Sequence, residues 1–502
     1  MRSVDYGCRV ARTLVTLKPL DSMDHPMNIV VIAACASSMV VLPAYGMQGV
    51  SGQPAPPLLA PTTSDAPRLV SAPAANSSPG SALVALAPLT ETAVLSAPVP
   101  TISPTWGYRV AVIGTRVFAT GPERAMSAGS FGQICMWDRA PDGAWKANLT
   151  LSQLSDAMPG DYGFQRLERG GPFLFTAVNR NGLGTSLRVL TPRDGQVTEV
   201  ATVALPAGAD LATFGSWFAS DGATLAISAT DMRFNLEAVG ANREGDPKTF
   251  IYSNRQGIWN LDGFVRAPSG ANGVPTEAMW FGSSLDVDGD VLAIGRPATI
   301  PPRQSAVMPI SGTARVHVYR RISGQWMPEA EILGASVTDM QCFGLGVAVE
   351  GDLLIVRGMA PNDWQASSRV WLFARIDGAW TLRQELVPQT GIVPGRAYGF
   401  SMAISKGHIV LGDTSARGVD EIGDATPGMA LVFEERNGQW VNSKRLMPAA
   451  PCAQRTFGND VAVDWPIVVV GRTKNTNLGL EPGGAYVFDL AGDGQAVSPR
   501  PQ

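Results

Sequence analysis

Apolar and polar residues alternate in short runs over most of this chain, and the runs come in a repeated order. The clearest stretch begins at Phe281. Leu285 and Val287 alternate with polar neighbours up to Asp288-Gly289, and the chain returns through Val291, Leu292 and Ile294. Period-two alternation lays one face of a strand on a core, and Asp-Gly between two such runs supplies the positive φ of a tight hairpin turn. A third run covers Ala314–Arg320, a Gly-containing turn sits at Ser323-Gly324, and a fourth run extends from Trp326 to Leu333. Four antiparallel strands in sequence predict one meander.

The same order recurs, each time opening on an aromatic residue followed by glycine. The pairs are Trp106-Gly107, Tyr162-Gly163, Phe214-Gly215, Phe281-Gly282, Phe343-Gly344, Tyr398-Gly399 and Phe457-Gly458, spaced 52 to 67 residues apart. A period longer than a solenoid unit and filled with short alternating strands is what a propeller blade requires. The chain is therefore expected to be all-β, a seven-bladed β-propeller of four-stranded antiparallel blades. Five units carry Gly-x-Trp before the outer strand, at Trp145, Trp259, Trp326, Trp380 and Trp440. These indoles are read as packing between blades.

The last unit lacks a fourth strand. After Leu490 the chain offers only AGDGQAVSPRPQ, and its prolines cannot donate to a ladder. In intact units the fourth-strand leucine precedes the next aromatic-Gly pair by 9 to 12 residues, and Leu95 precedes Trp106 by 11. An N-terminal strand near Thr90–Ala97, burying Val94 and Leu95, is expected to complete the last blade and leave no open edge.

From Trp106 to Leu490 the pattern resembles the FG-GAP repeat of the integrin alpha-chain head and its bacterial relatives, down to the Gly-x-Pro at Gly295-Arg296-Pro297. The resemblance implies a propeller that binds or adheres, not one that catalyses. The chain departs from the family at its first hairpins. They are the short turns Ile113-Gly114, Asp221-Gly222, Asp288-Gly289, Glu350-Gly351, Lys406-Gly407 and Asp464-Trp465-Pro466. One or two carboxylates fall short of the six to eight oxygens calcium takes, so no metal is expected there. No other metal or cofactor is expected either.

Composition adds the compartment and excludes some partners. Thirty-nine basic against 43 acidic residues, without a basic stripe, exclude nucleic acid as the expected partner. Residues 1–46 read as a leader: Arg9, Arg12 and Lys18 precede an apolar stretch from Met27 to Leu42, with cleavage after Gly46. Lipidation at Cys35, an uncleaved anchor, and a start at Met23 or Met27 stay open. Residues 47–89, rich in Pro, Ala and Ser, read as a flexible spacer. Residues 90–490 form the propeller and 491–502 a short tail. A leader, a spacer and a ring imply a monomer outside the cytoplasm, with no membrane span once mature. Cys135, Cys342 and Cys452 are read as buried thiols, with a Cys342–Cys452 bridge as the alternative.

Catalytic chemistry is hard to assemble from these residues. Beyond the leader only His317 and His408 remain, so neither a metal cluster nor a Ser-His-Asp triad can be drawn, and no catalytic residue is nominated. The long second-to-third loops and the links between blades leave on one face, and binding concentrates on loops carried by a rigid scaffold. Arg296, Arg357 and Arg472 stand at second-strand ends on that face. They are candidates for an acidic group, against a reading as solvated or ion-paired residues. Trp364 is the loop aromatic candidate, against a reading as a loop plug. The resulting expectation is a non-enzymatic binding module for a protein or glycan. A lyase- or hydrolase-type enzyme with carboxylates or arginines around the central channel is the alternative. An enzyme would gather inward polar groups in one funnel, whereas a binder would spread them over the rim.

Overall fold

The computed structural model describes residues 86–491 except 97–105, 123–131, 152–165, 181–183, 194, 204–205, 207–213, 216, 230–246, 267–279, 299–312, 339–341, 361–367, 390–391, 419–427, 450–455 and 474–482. All of them belong to the compact unit Gly80–Gln502. Tyr162-Gly163, Trp364, Cys452, the leader and the candidate lipidation residue Cys35 lie outside the described residues.

Seven antiparallel sheets follow one another along the chain, and the molecule is a seven-bladed β-propeller. Blade four shows the pattern: Ser284–Asp288, Val291–Arg296, Arg315–Ile322 and Gln325–Leu333 pair in sequence order, with the turn at Asp288-Gly289. The second strand of each of blades three to seven is buried along its whole length, because neighbouring blades cover both its faces. The core accordingly lies between blades. Seven hydrophobic clusters occupy the seven interfaces, and one of them joins the last blade to the first through Val469, Val487, Val110 and Val117. The Gly-x-Trp indoles pack in these interfaces. Trp259 meets Phe175 of the preceding blade edge-on at 5.3 Å, and Trp440 is buried between blades five and six.

The aromatic-Gly pair has a local cause. Gly344 adopts φ +82°, and a Cβ there would stand 2.8 Å from the Arg315 carbonyl of blade four. Its own carbonyl accepts the Ser284 hydroxyl at 2.9 Å, and a Cβ on Gly295 would meet that carbonyl at 2.1 Å. Two backbones thus touch where adjacent blades converge. Only glycine permits both the conformation and the approach.

Closure is wider than the leucine register implies. Strand β1 (Pro88–Thr90) pairs in parallel with Gln439–Met447 of blade six, and strand β2 (Ala93–Leu95) pairs antiparallel with Gly484–Asp489 of blade seven. β2 is the expected fourth strand of the last blade, in three residues instead of eight. β1 starts within the stretch expected to be spacer and gives blade six a fifth strand. Leu95 is buried, which contributes about 2 kcal/mol. Val94, expected to be buried, is 47% exposed, because alternation turns it away from the blade-one interface that holds Leu95. Hydrogen bonds supply the rest: Thr92 donates both its N–H and its hydroxyl to the Val487 carbonyl, and Ala449 N–H reaches Glu91 at 2.8 Å.

Cys135 and Cys342 are buried thiols, and burial pushes Cys342 up to about 12, which keeps it protonated and inert. Among the described residues no helix is long and apolar enough to cross a membrane.

Candidate functional site in the central channel

The three nominated arginines do not form a rim. Arg296, Arg357 and Arg472 are 2%, 6% and 4% exposed, so they neither await an acidic partner in solvent nor sit solvated there. Arg357 donates through Nε to the Tyr398 carbonyl at 3.0 Å, and through Nη2 to Ser368 Oγ at 2.8 Å and the Arg396 carbonyl at 3.1 Å. Burial lowers its guanidinium to about 10, with Asp413 and Cys342 opposing that shift. It is a strut between blades five and six. Arg472 Nη1 donates to the Tyr486 hydroxyl at 2.8 Å within blade seven. The three are not equivalent either. Gly346 faces Arg357 across the ladder as Ser284 faces Gly295, so Arg357 sits one step deeper than Arg296 and Arg472. Where blades four and six use Ser284 and Ser401 to reach the next blade's glycine carbonyl, blade five uses the long Arg357 side chain to reach the carbonyl one residue earlier, that of Tyr398.

At the short-turn face blades three to seven each grip the next. Asp221 accepts Gly289 N–H at 3.0 Å, Asp288 accepts Gly351 N–H at 2.7 Å, and Glu350 accepts the N–H groups of Lys406 and Gly407 at 2.7 and 3.0 Å. Lys406 Nζ donates to the Trp465 carbonyl at 2.9 Å, and Asp464 accepts Gly114 N–H at 2.7 Å, joining blade seven to blade one. The turn carboxylates are committed to these latches. Among the described residues no three His, Cys, Asp or Glu side chains group to hold a metal.

Further in, the first strands place side chains in two layers around the axis. Registered on their hairpins, one layer holds Arg109, Arg166, Trp217, Ser284, Gly346, Ser401 and Asp460, nearer the long-loop face. Two residues on, five blades carry alanine: Ala111, Ala219, Ala348, Ala403 and Ala462. Blades two and four carry Glu168 and Asp286 instead. Small residues suit a position where seven strands converge. The two carboxyls come from non-adjacent blades, and the Glu168 charge adds to the upward shift of Asp286.

The charges form one cluster. Arg109 Nη1 donates to Asp460 at 3.1 Å, and Asp460 also accepts Val110 N–H at 2.8 Å. The Arg166 guanidinium lies 4.1 Å from the Trp217 ring centroid and 3.6 Å from Glu168. Burial lowers Arg166 to about 10, against the pull of Glu168, and burial raises Glu168 against the pull of Arg166. Asp286 accepts N–H from Val287 and from Val349 of blade five. Burial nonetheless pushes it up to about 7, with Glu168 adding to the rise. Protein surrounds these groups, yet 40% of the Glu168 side-chain surface is exposed. None of the five is among the residues the sequence pattern singled out. Their signal is a column of alanines broken twice, visible only once the seven first strands are registered on their hairpins.

No family model matches this chain, and no curated protein matches it. Similar solved structures are a chain of a mitotic checkpoint complex, at 12% identity over 82% of this chain and 99% of that one, TM-score 0.45, and two others. One is the β-propeller domain of the trilobed protease from Pyrococcus furiosus, described as having an open velcro topology, at 10% identity over 76% and 94%, TM-score 0.39. The other is a periplasmic gluconolactonase from Pseudomonas aeruginosa, at 15% identity over 70% and 87%, TM-score 0.38.

Proposed function

We propose that this chain is a non-enzymatic binding propeller of the FG-GAP type, held outside the cytoplasm, that takes a protein or glycan partner on its long-loop face. The seven aromatic-Gly units support the family reading, and the leader and spacer support the compartment. The observation that carries the binding reading is the layer of Arg109, Arg166, Trp217 and Asp460, gathered where the channel meets that face. It replaces the arginine rim as the centre of the site. The test is binding of the full chain to arrays of glycans and of extracellular proteins, repeated with Arg166→Ala. A partner held by the wild type and released by the variant is expected. No partner of either class refutes the reading.

One observation favours the enzymatic alternative: Asp286 and Glu168 are inward carboxyls, and a carboxyl titrating near neutrality suits proton transfer. Turnover of a bound saccharide, abolished by Asp286→Asn, would decide for it.

A further inference from the structure

We propose that the stacked pair His408–Trp465 is an acid-sensitive joint between blades six and seven, which holds while the imidazole is neutral and loosens when it takes a proton. The joint lies at the short-turn face, away from the proposed binding surface. His408 opens the second strand of blade six, and Trp465 sits in the first hairpin turn of blade seven. Their ring centroids are 3.5 Å apart, with the planes 8° from parallel. Two further links meet here: Lys406 Nζ donates to the Trp465 carbonyl at 2.9 Å, and Trp465 N–H donates to Ser405 Oγ at 3.2 Å. Blades three, four, five and seven latch onward through carboxylates, whereas blade six uses this ring and an ammonium. The position of His408 is apolar in three other blades. Val291, Leu353 and Ile467 face the residue before their hairpins as His408 faces Ser405. An aliphatic side chain therefore serves the packing there, and the imidazole adds a titration near neutrality.

The surroundings decide the effect of a proton. His408 is 4% exposed, and its Nδ1 stands 3.1 Å from the Lys406 carbonyl. A carbonyl only accepts, so Nδ1 carries the hydrogen and Nε2 is the nitrogen that titrates. Directly across the ladder, Glu434 Oε2 lies 3.9 Å from Nε2, beyond hydrogen-bond reach, and Glu434 Oε1 accepts from Arg436 Nε at 2.7 Å. Glu350 of blade five is held by the N–H groups of Lys406 and Gly407. Asp464, beside Trp465, is held by Gly114 N–H and by Arg169 at 3.2 Å. Among the described residues none of these carboxylates bonds Nε2. A proton there makes a buried cation whose cost the indole face offsets only in part. Burial accordingly draws His408 below its usual value of 6.5, against the Lys406 carbonyl and Glu434. The unfolded chain takes up this proton at a higher pH than the folded chain. The stabilisation is full above about pH 6.5 and is lost as pH falls toward the folded-state value.

The test uses the full chain and two readouts: the imidazole titration of His408 by nuclear magnetic resonance, and the hydrogen-exchange protection of the Trp465 amide between pH 7.5 and pH 5.5. His408→Phe keeps a ring against Trp465 but cannot titrate, and His408→Gln keeps a donor for the Lys406 carbonyl. His317, which burial also lowers, and Asp286 remain in both variants, so the difference from the wild type isolates His408. Expected is a His408 titration below pH 6.5 and a loss of Trp465 protection by about threefold or more over this range, absent from the variants. A titration at or above pH 6.5 overturns the proposal. So does wild-type protection that is flat with pH, or a loss that is equal in the variants. If neither variant folds, the two wild-type readouts decide.

Discussion

Asp286 and Asp288 lie two residues apart on one strand, and each accepts a backbone N–H of blade five, but in different surroundings. Asp288, at the short turn, accepts the next blade's Gly351 N–H at 2.7 Å and forms one link in a circumferential chain of latches. Asp286, one layer deeper, accepts Val349 N–H at 2.8 Å and belongs to a charged cluster with Glu168, whose nearest cation stands at 3.6 Å. The same contrast separates the two regions as wholes. At the turns, carboxylates complete hydrogen bonds that the backbone of the neighbouring blade would otherwise lack. In the channel Asp286 and Asp460 do this for Val349 and Val110 as well, within a cluster that also holds Glu168, Arg109 and Arg166. A carboxylate's worth to the fold is set by the donors it finds, not by its burial.

Four experiments can break that contrast or sharpen it. The largest effect is expected from removing residues 88–95, which strips β2 from blade seven and β1 from blade six and exposes both outer edges. Melting followed by circular dichroism should fall by on the order of 10 °C, or the protein should aggregate on its open edges. An unchanged curve would show that the ring holds without its clasp. Next comes Arg357→Ala, which leaves the Tyr398 carbonyl without its side-chain donor in a buried interface and the Arg396 carbonyl with the Ser368 hydroxyl alone of its two side-chain donors. We expect a loss of about 2–4 kcal/mol in denaturant unfolding, and an effect below about 0.5 kcal/mol would mean that the strut is dispensable.

A smaller loss, about 1 kcal/mol, is expected for Asp464→Ala, which frees Gly114 N–H near solvent. A stable variant would remove the latches from the closure mechanism. Asp286→Ala frees Val349 N–H but also removes a carboxyl whose ionisation burial opposes, so the smallest net change is expected from it, and its pH dependence carries the information. The native carboxyl titrates near 7 against a usual value of 3.8, so the folded state holds the extra proton between about pH 4 and 7. Its contribution is fully present below pH 4 and is lost as pH rises through 7. The variant lacks this loss. Its melting temperature relative to the wild type should rise from pH 5 to pH 8. A flat or falling difference would place Asp286 with the latches.

Within the ring, legibility followed the range of the interaction. Hairpins such as Asp288-Gly289 and the aromatic-Gly pairs are local, and Leu95 declared its strand by spacing alone. β1 was hidden, because a three-residue parallel pairing in a proline-rich stretch carries no alternation to read. The arginines misled for a related reason. Arg357 and Arg472 look alike one residue from a glycine, but a one-residue difference in register decides which neighbour each reaches.

From the chain alone came the all-β class, the number of blades, the order of strands and the piece that closes the ring, because each rests on period-two patterning and turn chemistry written over a few residues. Tertiary structure alone decided which charged groups share the axis. Glu168 and Asp286 are 118 positions apart and belong to non-adjacent blades. Only the convergence of seven first strands on one line brings their carboxyls within electrostatic reach, and that convergence is a property of the closed ring, not of any segment in it.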